Sequence, residues 1–302
     1  MTIFEVSVPA TTANIGAGFD CLGAALSLYN HFEFSLTDRL TITASGEGAD
    51  KVERDETNLI YQAIAKFYEH IDRSIPAIAF HTDTLIPLSR GLGSSATAIV
   101  GGLVGANLLA DSPLDRMELL NLAIAIEGHP DNVAPAMLGG CQLIASNQAE
   151  GWEFCDLRWH EDIAIAVAIP DFELSTAKAR QVLPKQVSMQ DAIFNASHLA
   201  LLSHGIQTGN ANWLRAGLQD RLHQPYREEL IAGMKDVQAA AIAAGAYGMV
   251  ISGAGPTLLS LAPIGTIELV AQAMQEAWQA IGIKAVTKCL AIAKDGTTFK
   301  TR

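Results

Sequence analysis

One stretch of the chain is suited to holding an anion: Pro87-Leu88-Ser89-Arg90-Gly91-Leu92-Gly93-Ser94-Ser95-Ala96-Thr97. Gly91 and Gly93 let the backbone turn sharply and approach a ligand closely, where a Cβ would clash. Two hydroxyls follow, and then an apolar run, Ala98 to Ala110, long enough for a helix. A Gly/Ser loop that opens a helix presents unpaired N–H groups and the positive end of the dipole, which suits phosphate. No Gly-Lys-Ser/Thr follows the glycines, so this is not a Walker A loop. Gly91-Leu92-Gly93-Ser94-Ser95-Ala96 fits G-x-G-x-x-A, with Asp111 further on. Yet Asp111 falls between that helix and Ser112-Pro113, which starts another, whereas the dinucleotide-binding acid ends a second strand. Taken alone, the loop is either a phosphate cradle or a tight turn packing a helix against a sheet.

Other groups could complete a site. Glu127-Gly128-His129-Pro130-Asp131-Asn132-Val133-Ala134-Pro135 reads as a polar, Pro-rich loop at a cleft mouth. A carboxylate near a phosphate loop is a natural Mg²⁺ ligand, with a Ser hydroxyl and phosphate oxygens completing the shell. His129 has no second histidine at ligand spacing and reads as a structural hydrogen-bonder. Asn14 and Asp20 sit in a glycine-rich stretch, Thr11 to Gly23, of the kind that carries function. Lys178, Arg180 and Lys185 form a small basic cluster, which could hold a carboxylate or be a solvated face. Around Gly253 and Gly255 lies a second glycine cluster, either a bland hairpin turn or a wall of the nucleotide site. His198, His204 and His223 read as core or capping histidines.

These groups need elements to position them. Phe4 to Ala10 and His31 to Leu36 alternate as strands, and Leu40 to Ala44 offers a partner strand. Leu59, Ile60, Ala63, Ile64, Phe67, Tyr68 and Ile71 fall on one face of a helix over Thr57 to Ile71. Ala77 to Thr82 is a strand leading into the glycine-rich loop. Ser112 caps a helix running to Glu127, with Pro113 in its first turn. Cys141 to Ala145 and Ile163 to Ile169 read as strands, and the polar stretch from Asn147 to Glu161, with Trp152 and Trp159 packing, places a domain boundary between 1–158 and 159–302. Helices follow over Gln190 to His204, Asn212 to Leu222 and Gln224 to about Ala244. Strand, glycine turn and strand span Tyr247 to Leu261. A helix over Ile267 to Ile281 and a strand over Ile283 to Ile292 close the chain.

Composition narrows the class. With 302 residues, 49% of them apolar, the chain can bury one or two sizeable cores. A formal net charge of −12 argues against a nucleic-acid or anionic-membrane surface. Cys21, Cys141, Cys155 and Cys289 have no metal-type spacing and read as buried residues in a reducing compartment. No signal peptide opens the chain. Leu92 to Ala110 is uncharged, but its small and polar residues and unflanked ends indicate a buried, closely packed helix rather than a membrane span. A cytoplasmic location is expected.

Pro9-Ala10-Thr11-Thr12-Ala13-Asn14-Ile15-Gly16, Pro87 to Thr97, and Ser252-Gly253-Ala254-Gly255-Pro256-Thr257 together resemble the three motifs of the GHMP kinases, in order and across essentially the whole chain. Asn14 to Asp20, His129 to Pro135 and Ser175 to Pro184 are most similar to the members that phosphorylate the side-chain hydroxyl of L-homoserine, on the route to threonine. The resemblance implies an α+β fold of two domains, the N-terminal one like ribosomal protein S5 domain 2 and the C-terminal one ferredoxin-like, with ATP between them. It implies that Pro87 to Thr97 wraps the ATP phosphates, with Gly253 and Gly255 beside them, and that Ser95 and Glu127 hold Mg²⁺. Asn14, Asp20 and Asn132 would contact L-homoserine, Asp20 taking its ammonium and Arg180 and Arg227 its carboxylate. Asn132 would orient the hydroxyl beside Asp131, with the γ-phosphate or a water taking the proton. A homodimer is implied as well. The alternatives are another GHMP kinase, acting for example on mevalonate, and a non-catalytic sensor on the same scaffold.

Overall fold

The computed structural model describes residues 2–147 and 151–302, so residues 148–150 of the polar stretch named above lie outside the described residues. Strands β1 (Phe4–Ala13) and β2 (Leu22–Leu36) form a long antiparallel pair. After β3 (Thr41–Gly46), helix α1 (Leu59–His70) crosses over to β4 (Ile78–Thr84). Strand β3 pairs with β4 in parallel, not with β2, because a helical crossover returns the chain in the same direction. Helices α2 (Ser94–Leu109), α3 (Arg116–Glu127) and α4 (Pro130–Leu138) follow, then β5 (Cys141–Ser146), which pairs with β2, and β6 (Trp152–Asp156).

The second half begins with β7 (Ile163–Pro170) and runs through α5 (Thr176–Gln181), α6 (Met189–Thr208), α7 (Ala211–Gly217), α8 (Gln224–Arg227) and α9 (Met234–Ala243). It ends with β8 (Gly248–Ile251), β9 (Leu258–Pro263), α10 (Ile267–Ala280) and β10 (Ala285–Leu290). The antiparallel order β10-β7-β9-β8 is that of a split βαβ, the expected ferredoxin-like sheet. The chain does not stop there. Strand β11 (Thr298–Thr301) returns to pair with β1 in the first sheet, a closing element that its short, fully exposed sequence did not announce.

Three apolar layers hold these elements. One lies between the first sheet and α1 to α4, where α2 presses close: a Cβ on Gly101 would stand 2.7 Å from the Phe32 ring. Burial of α2 on nearly every side explains its apolar run, and no helix among the described residues is long and apolar enough to cross a membrane. In β7, residues alternate between the other two layers. Ala164, Ala166 and Ala168 pack toward α9 and α10, while Ile163, Ile165 and Val167 face Ala10, Ile15 and Leu22 of the first half. The two halves therefore share an apolar layer.

Several expectations are corrected. Ser112 does not cap α3; its φ is +56° and its N–H donates to Asn107 O, ending α2. Asp115 is the cap, in a reciprocal capping box with Glu118. The stretch 130–138 is helix α4 rather than loop, started by Pro130 in its first turn. The helix expected from Gln224 to Ala244 is broken after Arg227, and α9 restarts at Gly233, whose φ is +74°. Of the cysteines only Cys141 is buried; Cys155 and Cys289 are exposed on the edge strands β6 and β10, and Cys21 is half-buried.

Candidate active site

The three glycine-containing motifs meet at the junction of the halves. Leaving β1, Asn14 takes a left-handed conformation, φ +59°, and its side chain ties two loops together. Asn14 Oδ1 accepts from the Asp20 N–H at 2.8 Å, and Asn14 Nδ2 donates to Gly253 O at 2.9 Å. Gly253 N–H donates in turn to Ala13 O. The glycine-rich loop runs from β4 to α2 with Ser89, Gly91 and Gly93 all at positive φ. A Cβ on Gly91 would overlap Ser252 O, and one on Gly93 would overlap Thr11 Oγ1. Ser252 Oγ donates to Gly91 O at 2.6 Å, and Thr11 N–H donates to Leu92 O at 3.1 Å. Close backbone approach is what the glycines supply here.

Gly93 is the N-cap of α2 and offers no side chain to the first-turn N–H groups, which leaves them for an anion. Beside them Ser95 Oγ donates to Glu127 Oε2 at 2.9 Å. Burial pushes the Glu127 carboxyl above the usual carboxylate range, against the Ser95 hydrogen bond and the pull of His129. Asn132, in the first turn of α4, accepts through Oδ1 from Thr11 Oγ1 at 2.7 Å. Asp131 is buried and accepts from His129 Nδ1 at 2.7 Å, a contact that raises the His129 pKa despite its burial.

Across the cleft, α5 and α8 bring two guanidinium groups. Arg180 makes a bidentate pair with Asp20 at 2.9 and 3.1 Å. Arg227 is 1% exposed, and burial together with Arg180 lowers its pKa to about 10. Its Nε donates to Ala179 O at 3.1 Å and Nη1 to Gly253 O at 3.0 Å.

A cavity of about 130 Å³ lies among these groups. Of the residues expected from sequence, Asn14, Ser89, Gly91, Gly93, Ser94, Ser95, Glu127, Asp131, Asn132, Arg180, Arg227, Gly253 and Gly255 line it. Asp20 does not line it but is bonded to Arg180 and Asn14, which do. Pro87, Leu88, Arg90, Leu92, Ala96 and Thr97 do not reach the cavity. Leu92, Ala96 and Thr97 are buried beneath the loop, and the Arg90 guanidinium turns to the carbonyls of Leu88, Pro170 and Asp171. His129, Leu174, Thr176 and Ala254 also line the cavity. For His129, the signal was present in its i, i+2 spacing to Asp131. A larger cavity, about 1130 Å³, lies between β5–β6 and β7–β10, but it contains none of the motif residues, so its size does not make it the site.

The geometry suits a nucleotide-dependent small-molecule kinase, and the comparisons give that family. Residues 58–140 match the GHMP kinases N terminal domain and residues 202–280 the GHMP kinases C terminal domain. The chain belongs to the GHMP kinase family, with an N-terminal half like ribosomal protein S5 domain 2 and a ferredoxin-like C-terminal half. Its relatives include a homoserine kinase of Trichormus variabilis, 58% identical over 97% of each chain. Another, of Trichodesmium erythraeum, is 57% identical over 99% of each. The crystal structure of homoserine kinase from Cytophaga hutchinsonii superposes with a TM-score of 0.90 at 29% identity, covering 99% of this chain and 97% of that one.

Proposed function

We propose that the chain transfers the γ-phosphoryl group of ATP to the side-chain hydroxyl of L-homoserine, giving O-phospho-L-homoserine for threonine biosynthesis. One observation carries the reading: the glycine-rich start of α2 lines one cavity with Glu127, Arg180 and Arg227, with Asp20 paired to Arg180 beside it, and full-length relatives with that name support it. In this reading Gly91, Gly93, Ser94 and Ser95 receive the ATP phosphates, the rest of Pro87 to Thr97 shapes the loop, and Gly253 and Gly255 form the facing wall.

Ser95 and Glu127 suit Mg²⁺, because both offer hard oxygen atoms and phosphate oxygens can fill the remaining positions. Bound there, the ion would offset negative charge on the phosphoryl oxygens. No group of three His, Cys, Asp or Glu side chains placed to hold a metal ion is found among the described residues, so the nucleotide would have to supply part of the shell.

Asp20 takes the substrate ammonium, and Arg180 and Arg227 its carboxylate. A zwitterion entering beside the Asp20–Arg180 pair adds one charge of each sign, and its carboxylate gives the buried Arg227 a counter-charge. No hydrogen bond engages Arg227 Nη2 among the described residues, and Arg227 lines the cavity, which leaves a donor for a carboxylate oxygen. Asn132, held by Thr11, orients the hydroxyl for in-line attack. Asp131 is engaged by His129, so the hydroxyl proton passes to the γ-phosphate or a water; in a loose transition state, positioning and electrostatics carry most of the rate. The reading includes a working division near residue 158, a homodimer and a cytoplasmic location, which sedimentation and fractionation test.

The functional test is ADP release from ATP and Mg²⁺ with L-homoserine, mevalonate, L-serine and L-threonine. Turnover on homoserine alone, on the order of 1–10³ s⁻¹, is expected. Turnover on mevalonate, which lacks an ammonium, would remove the role given to Asp20. ATP binding without any turnover would identify a sensor.

A further inference from the structure

Behind Arg227 lies a buried network that the phosphoryl-transfer reading does not use. Asp220, the cap of the turn leading into α8, accepts from the backbone N–H groups of Leu222, His223 and Gln224 and from Asn195 Nδ2 at 2.7 Å. His223 is fully buried and does not line the cavity. Its ring stacks on Phe19 at 5.1 Å between centroids, and the Arg227 guanidinium carbon lies 5.3 Å from the same Phe19 ring. His223 and Arg227 are one helical turn apart, and His223 Nδ1 lies 3.3 Å from Arg227 Nη1.

A guanidinium has only donors, so this contact assigns the His223 tautomer: Nδ1 carries the lone pair and Nε2 the proton. Nε2 stands 3.7 Å from Asp220 Oδ2, beyond hydrogen-bond distance, and has no hydrogen-bond partner among the described residues, so the Asp220 carboxylate favours its proton by charge alone. Burial is the largest influence on the ring and lowers its pKa to about 4, so it stays uncharged beside a guanidinium already crowded by Arg180.

We propose that His223 is a positioning residue for the substrate carboxylate: it accepts from Arg227 Nη1 and fixes the direction in which the buried guanidinium presents Nη2 to the cleft. Ala179 O, Gly253 O and His223 Nδ1 then hold Arg227 from α5, from the 252–257 turn and from its own helical turn. The inference rests on the reading of Arg227 as carboxylate binder.

The test compares His223→Phe, which keeps a ring against Phe19 but removes the acceptor, with His223→Asn, whose amide oxygen can take the place of Nδ1. His223→Phe is expected to raise the homoserine KM on the order of tenfold to a hundredfold, the value of a hydrogen bond to a charged group. The ATP KM stays unchanged, and His223→Asn returns the homoserine KM close to wild type. A general packing role would instead lower thermal stability in both variants and shift both KM values together, which would overturn the proposal. Should His223→Phe fail to fold, side-chain ¹⁵N spectra of the wild type decide. An uncharged ring protonated on Nε2 at neutral pH is expected, and a proton on Nδ1 would overturn the inference. That spectrum reads the Arg227 contact even if turnover assays show a different substrate, so the two failures are distinguishable.

Discussion

Gly93→Ala tests the cradle most directly. Gly93 has φ +70°, and a Cβ there would overlap Thr11 Oγ1 and stand 3.3 Å from Asn132 Oδ1. Thr11 cannot withdraw easily: it is fully buried, its N–H is bonded to Leu92 O, and its hydroxyl donates to Asn132 at 2.7 Å. A left-handed alanine costs about 1–2 kcal/mol, and overpacking a closed site costs about 1–3 kcal/mol. A loss of about 2–4 kcal/mol in stability is therefore expected, with part of the strain relieved by local shifts. Urea unfolding of Gly93→Ala, Thr11→Ala and the double variant gives the coupling. Thr11→Ala alone should cost about 1–3 kcal/mol by leaving Asn132 Oδ1 without its donor. The double variant should be better than the sum of the singles by about 1–2 kcal/mol, since the overlap is then gone. Kinetically, the double variant should recover ATP KM but not kcat, because the loop reopens while Asn132 stays unanchored. Additivity within about 0.5 kcal/mol would show that the new methyl does not meet Thr11 and would refute the geometric argument.

Three further outcomes follow from the same site. Glu127→Gln should lower kcat/KM for MgATP by about 10² or more while raising the thermal midpoint of the free protein at neutral pH. Burial holds the Glu127 pKa above its unfolded value, so in the window above the ordinary glutamate value the folded chain retains a proton the unfolded chain has lost, and stability falls as pH rises through it. A glutamine removes that cost, so an unchanged or lower midpoint counts against the assignment. Asp131→Asn should keep kcat above about 1% of wild type, since a general base contributes about 10²–10⁴-fold; a deeper loss would make Asp131 the base. Finally, 4-hydroxybutyrate and 3-aminopropanol, each lacking one charge of homoserine, should both be poor substrates in steady-state assays. Asp20→Asn should narrow the preference for homoserine over 4-hydroxybutyrate, and an unchanged preference would remove Asp20 from ammonium recognition.

Much of this was legible because the chemistry-bearing residues sit in short local patterns. Gly91, Gly93 and the two serines announce a cradle from their order alone, and the β-branched and alanine alternation in β7 announces a strand buried on both faces. What could not be read depends on contacts distant in sequence. The Asp20–Arg180 pair spans 160 residues, and nothing near Asp20 signals that its partner lies on α5. Local competition misled in two places. Ser112-Pro113 has cap chemistry as good as that of Asp115, and only the hydrogen bond back to Asn107 shows that the preceding helix claims it. Pro130 and Pro135 suggested a loop, although Pro130 falls where a helix tolerates it and Pro135 only removes the N–H that would meet Asp131 O.

The placement of Asn14 and Asp20 is set by the layer the two halves share. Strand β1 carries Ala10 into that layer beside Ile165, Val167 and Leu259, and the chain leaves it at Ile15, itself fully buried, with the loop from Asn14 to Asp20 around that anchor. The 252–257 turn starts where β8 leaves the same layer, so Gly253 meets Ala13 and Asn14 through two hydrogen bonds rather than across a gap. The Pro87 to Thr97 loop is fastened to both, through Thr11 N–H to Leu92 O and Ser252 Oγ to Gly91 O. Each loop thus satisfies backbone groups of another, and displacing one would leave buried donors and acceptors unpaired at about 1–3 kcal/mol each. That mutual dependence favours a cradle already shaped when the nucleotide arrives, so binding energy need not be spent on assembling it and remains available to bring the homoserine hydroxyl into line.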